Sequence, residues 1–108
     1  GKLRALGVSS AARSPLAPSV PTVAEAGVPG YEVDVWFGVV GPAGMPAEIV
    51  GKLNREMNAI FAMDDVKRQF TDQGVTPVGG TPAAFAEHLR TEIAKWAKVV
   101  KDTGIKPQ

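Results

Sequence analysis

Hydrophobic positions along this chain change their period several times, and each change marks an element. From Tyr31 to Met45 the sequence reads Y-E-V-D-V-W-F-G-V-V-G-P-A-G-M. Val33, Val35 and Phe37 alternate with Glu32, Asp34 and Trp36, after which Val39 and Val40 continue the apolar run until Gly41 and Pro42 stop it. This is the pattern of a strand half-exposed at one end and buried at the other. Gly38 within it marks a kink or a point of close approach by another group. Leu3 to Val8, interrupted by a charge only at Arg4, predicts a second strand, covered on both faces. Val75 to Val78 is a third, brief strand candidate that Pro77 confines to an edge.

The helices follow from spacings of three and four. Thr22 and Glu25 form a capping-box pattern opening a short helix that Gly27 and Pro29 close. Ile49, Val50, Leu53, Met57, Ile60 and Phe61 make one apolar stripe, with Lys52, Asn54, Arg55 and Asn58 turned to water and Pro46 in the first turn. Asp64 is placed to cap a helix carrying Val66 and Phe70 and ending at Gly74. Thr81 and Pro82 open the last helix, whose stripe is Phe85, Leu89, Ile93, Trp96 and Val100, and Gly104 ends it with Ile105 folding back. The sum is an α/β pattern short of strands. Sheet edges left unpaired seek partners, so the chain is expected either to associate with copies of itself, by edge pairing or by swapping elements, or to be cut from a larger protein. Its opening without Met, almost directly inside a strand-like run, favours the second.

Composition narrows the functions. In 108 residues there is room for one domain. Twelve Lys and Arg against eleven Asp and Glu give a formal charge of +1, with no basic cluster to suggest nucleic acid. Cysteine is absent, which excludes thiol chemistry and leaves the redox compartment open. No apolar run is long enough to span a bilayer as a helix.

Candidate chemistry is sparse. Gly79-Gly80-Thr81-Pro82 resembles a phosphate loop only superficially, since the G-x-x-x-x-G-K-[ST] and G-x-G-x-x-G signatures are missing, and turn plus cap is the reading it supports. His88, the single histidine, has no second ligand nearby in the sequence and reads as a flanking side chain. Asp64 and Asp65 read as helix-start charges, not a catalytic pair. Ser9, Ser10, Ser14 and Ser19 lack a nucleophile-elbow context. Trp36 shares the parity of Glu32 and Asp34, the polar side of its strand, and an aromatic ring there beside a glycine either lines a pocket or packs half-buried against a loop. With no acid, base or nucleophile constellation and no cofactor motif, binding is the default over catalysis.

Longer motifs carry a resemblance. G-K-L-R-A-L-G-V-S-S (Gly1 to Ser10), V-P-T-V-A-E-A-G-V-P-G-Y-E (Val20 to Glu32), W-F-G-V-V-G-P-A-G-M-P (Trp36 to Pro46), L-N-R-E (Leu53 to Glu56) and P-V-G-G-T-P-A-A-F (Pro77 to Phe85) resemble the C-terminal third of the solute-binding receptors of the tripartite tricarboxylate transporter system, the TctC or Bug family. The resemblance implies a partial periplasmic-binding-protein fold of the type II, bilobal α/β kind, a C-terminal fragment with few strands and four helices. In that fold residues 1–30 would end the second lobe, 31–45 would form the crossing or hinge strand, and 46–108 would complete the first lobe. It further implies a periplasmic location, a small organic carboxylate as ligand of the intact receptor, membrane permease subunits as partners, and no catalysis or cofactor. Trp36, Phe37 and Gly38, with Ser9 and Ser10 at a strand end, are the residues of this stretch expected to reach the ligand. The competing expectation is a non-catalytic, oligomerising interaction module without a small-molecule ligand.

Overall fold

The computed structural model describes residues 2–106. Gly1, where the first family motif begins, and positions 107 and 108, the end of the predicted helical segment, lie outside the described residues. Three helices are present: α1, Ala47–Ala62; α2, Asp64–Asp72; and α3, Pro82–Thr103. Their boundaries follow from cap chemistry. Pro46 sits at the N-cap of α1 and not inside its first turn, so the helix starts without a side-chain cap and with Glu48 facing its positive end. Met63 then adopts extended backbone (φ −68°, ψ 135°) and ends α1 while starting α2. The cap expected at Asp64 therefore falls one residue earlier, and Asp64 and Asp65 act through their charge in the first turn.

At the end of α2 the Gly74 amide donates to the Thr71 carbonyl (2.9 Å) and the Val75 amide to the Phe70 carbonyl (2.9 Å). These are the two bonds of a Schellman ending, and they need the positive φ of 74° that Gly74 supplies. For α3, Thr81 Oγ1 accepts from the Ala84 amide (3.1 Å), Pro82 fills the first turn, and Gly104 closes the helix in the left-handed region. Ile105 remains exposed and does not fold back.

Among the described residues there is no strand, only an isolated parallel bridge between Val8 and Thr22. The stretches predicted as strands at Leu3 to Val8, Tyr31 to Gly41 and Val75 to Val78 are irregular or extended without a ladder. Three hydrogen bonds show the order they take: Val8 N–H to Pro21 O, Val23 N–H to Val8 O and Val33 N–H to Ser9 O, each 2.9 Å. Residues 8 and 9 thus lie between 21–23 and 33. A strand exists only through its partners, and these residues meet too few. The short helix predicted after Thr22 is likewise a turn. Its reciprocal cap is formed, with Glu25 N–H to Thr22 Oγ1 (3.1 Å) and Thr22 N–H to Glu25 Oε2 (3.0 Å), but Gly27 at φ 124° ends it before a helix can propagate.

Packing is thin. Phe61 of α1 meets Phe70 of α2 edge to face at 6.0 Å. No hydrophobic side chain among the described residues is fully buried, and Thr22, at 2% exposure, is the buried polar one. The radius of gyration is 17.4 Å, where a compact domain of this length has about 13 Å. The exposed area of 9059 Å² compares with about 5,700 Å² for a folded monomer of the same mass.

Candidate functional site

Residues 31–38 lie along α3, and the contact is built around Trp36. On α3, Phe85, His88, Glu92 and Trp96 are spaced three, four and four apart and so share one face. The Trp36 ring stands edge-on to Phe85 (centroids 5.9 Å, 79°) and to His88 (4.8 Å, 80°). Its Nε1–H donates to Glu92 Oε2 at 3.4 Å, and the Trp96 Nε1–H donates to the same oxygen at 2.9 Å. Lys95 pairs with the other oxygen, Glu92 Oε1, and its ammonium lies 5.6 Å from the Trp96 ring centroid. The Glu92 side chain is 13% exposed. Its carboxyl is held below the ordinary range chiefly by the Lys95 hydrogen bond, with smaller help from the two indoles and opposition from burial.

Gly38 also faces α3, where a Cβ would overlap the Phe85 ring. The close approach expected there is made by a side chain of this chain's own helix. Val35, Phe37 and Val39, of the other parity, are 86%, 83% and 71% exposed. From Val35 to Val39 the sides are therefore reversed from the alternation, Trp36 and Gly38 turning toward α3 and Val35, Phe37 and Val39 left uncovered, whereas Val33 keeps its expected half-buried side.

The predicted residues do not converge into one pocket. Trp36 and Gly38 rest on α3, and Phe37 projects away. Ser9 joins the segment through its carbonyl, bonded to Val33, while the Ser10 hydroxyl donates to the Ala12 carbonyl (2.7 Å) in a local turn. Beside Trp96 an open cleft of about 410 Å³ runs between Gly30–Val33 and the Lys95–Val99 turn of α3.

The Gly79-Gly80 loop is a clamp for α1. Gly80 N–H donates to Asn58 Oδ1 (2.8 Å), and the Gly80 carbonyl accepts from Asn54 Nδ2 and Asn58 Nδ2, both 2.9 Å. The two asparagines expected to face water instead hold this loop, four residues apart on one face. With the Gly80 amide taken by Asn58 and the Ala84 amide by Thr81, the loop does the work of a turn and cap. Sequence reasoning also passed over Glu92; its one signal was the spacing of four to Trp96.

Comparison with solved structures defines the class first. The chain superposes on R. palustris Rpa4515 with adipate with a TM-score of 0.83 and 44% identity, over 95% of this chain and 34% of that one. It superposes on the periplasmic binding protein BugD with a TM-score of 0.81 and 29% identity, over 94% and 35%. The fold is thus that of a periplasmic binding protein in part. Residues 1–105 match the tripartite tricarboxylate transporter family receptor model, TctC, and the chain belongs to that family. Among its relatives are protein BugT of Bordetella pertussis (42% identical over 106 residues) and the UPF0065 protein in the tcbD-tcbE intergenic region of Pseudomonas sp. strain P51 (42% over 100 residues). The alignments take in 98% and 92% of this chain but 32% and 30% of those proteins, so it spans about a third of their length.

Proposed function

We propose that these residues serve, within an extracytoplasmic solute-binding receptor, to capture a small organic carboxylate and present it to the membrane subunits of a tripartite tricarboxylate-type transporter. In this reading residues 1–30 belong to the second lobe, 31–45 cross between lobes and 46–108 complete the first. The work is binding and closure without catalysis, ligand occupancy shifting the population toward the closed form. The receptor is periplasmic, as the related BugD is described to be.

The observation that carries the reading is the two-sidedness of residues 35–39. One side is pinned to α3 by Trp36 and Gly38, and the other presents Val35, Phe37 and Val39 to solvent. A segment held on one face and open on the other is what a crossing element at a cleft requires. The neighbour solved with adipate supports a dicarboxylate as probe. Residues 36–38 form the wall contributed from here, Phe37 on its open side and Trp36 and Gly38 on the side held by α3, with Ser9 and Ser10 at its margin.

Isothermal titration with adipate and related dicarboxylates, on the receptor carrying these residues, tests it. Saturable binding that weakens in Phe37→Ala is expected, and binding by residues 1–108 alone should be at least tenfold weaker than by the receptor, since one wall of a cleft forfeits the enclosure on which affinity depends (roughly tenfold per 1.4 kcal/mol lost). Equal affinity in the 108-residue chain would overturn it.

A further inference from the structure

Of the charged groups that the fold gathers outside the proposed ligand contacts, the Glu92 carboxylate has the most partners. It is held among three donors from two segments: the indoles of Trp36 and Trp96, which are the chain's two tryptophans, and the Lys95 ammonium. The division of its oxygens matters. Oε2 takes both indoles and Oε1 takes Lys95. Of the contacts between Trp36 and α3, those to Phe85 and His88 are ring-edge contacts that tolerate rotation, whereas the bond to Glu92 fixes which way the indole nitrogen points. The 36–38 backbone then has little freedom, because Gly38 must stay against Phe85.

We propose that Glu92 is a positioning residue for the cleft: it orients Trp36 and thereby sets where the crossing segment lies on α3. The inference rests on the reading above that residues 36–38 line the cleft. Glu92 touches no ligand in it. Its effect passes through Trp36, and Trp96 braces the carboxylate from the far side. Neutralising the carboxylate while keeping an oxygen between the indoles should preserve the indole contacts at the cost of the Lys95 pairing, whereas truncation should release Trp36.

The test uses the receptor carrying these residues, labelled with ¹⁵N, the two indole N–H resonances being assigned with Trp36→Phe and Trp96→Phe. In Glu92→Ala both resonances should move and exchange faster with solvent, and the Kd for adipate should rise about fivefold, the equivalent of one lost hydrogen bond. Glu92→Gln should recover part of the Trp36 resonance position and part of the affinity, because its amide oxygen can still accept from the indoles while its NH2 loses the Lys95 pairing. A Trp36 resonance indifferent to Glu92→Ala overturns the proposal, and so does a resonance that moves while the Kd stays unchanged. If Glu92→Ala fails to fold, Glu92→Asp, which keeps a charge beside Lys95 but draws the oxygens back from the indoles by one methylene, replaces it under the same two criteria. A wild-type protein that binds no dicarboxylate sinks the receptor reading, and the Trp36 resonance then still decides whether the tether exists.

Discussion

Single side chains settle several questions here that patterns leave open. Gly38 lies where any Cβ would overlap the Phe85 ring, and that ring is already committed to the Trp36 edge. Gly38→Ala should therefore destabilise the receptor by about 1–3 kcal/mol, the usual cost of overpacking, in urea unfolding, and Phe85→Leu should recover part of it; a neutral Gly38→Ala would mean the segment can lift from α3 freely. Glu25 supports a prediction in pH. Its carboxyl is held below its ordinary value by the Thr22 backbone amide first and the Arg13 guanidinium second. A carboxyl whose pKa is depressed by folding adds stability that is fully present above its unfolded pKa and is lost as pH falls through the folded one. Wild type should thus lose more stability than Glu25→Gln between neutral pH and the acid side of the ordinary carboxylate range, and the two curves should converge at lower pH. Parallel curves would show that the cap is not formed in solution.

Elements differ in how far the sequence foretells them, and the reason is where their hydrogen bonds go. A helix satisfies its backbone from its own residues, so the stripes of α1, α2 and α3 and the glycine stops at Gly74 and Gly104 were legible. A strand borrows its partners from elsewhere, so alternation at Tyr31 to Val40 could announce a strand without revealing that its partners are missing. The same limit reversed its sides: Trp36 looked wet because it shares parity with Glu32 and Asp34, yet α3 offers Glu92 and His88 beside Phe85, a mixed surface that suits an indole. Family motifs brought in Trp36, Phe37 and Gly38, but only the fold exposes Glu92. Asn54 and Asn58 belong to this scale too, since they join α1 to the start of α3 through Gly80. Asn58→Ala removes the acceptor for the Gly80 amide and one donor to its carbonyl, whereas Asn54→Ala leaves Asn58 to serve both. The first should cost about 1 kcal/mol and speed Gly80 amide exchange, the second markedly less. Equal effects would show that the clamp is shared and not centred on Asn58.

For the whole molecule the decisive quantity is uncovered apolar surface. At about 25 cal/mol per Å², every 1,000 Å² of apolar area left in water forfeits about 25 kcal/mol, more than the roughly 5–15 kcal/mol by which whole domains are stable. The 9059 Å² exposed by this chain, polar and apolar together, exceeds a compact monomer's area by about 3,000 Å², and Leu3, Val35, Phe37 and Val40 are among the side chains turned outward. Among the described residues nothing covers these side chains, while the local bonds in the helices do not depend on such cover. Residues 1–108 alone should therefore show helical circular dichroism that melts gradually, bind a hydrophobic dye, and scatter with a radius of gyration near 17.4 Å and not the compact value. Addition of adipate should leave the melt unchanged, because a ligand stabilises only the state that binds it. A single sharp transition with matching calorimetric and van't Hoff enthalpies, in a monomer of compact radius, would mean that the 35–39 face finds its cover within the chain, and the open side on which the receptor reading rests would no longer exist.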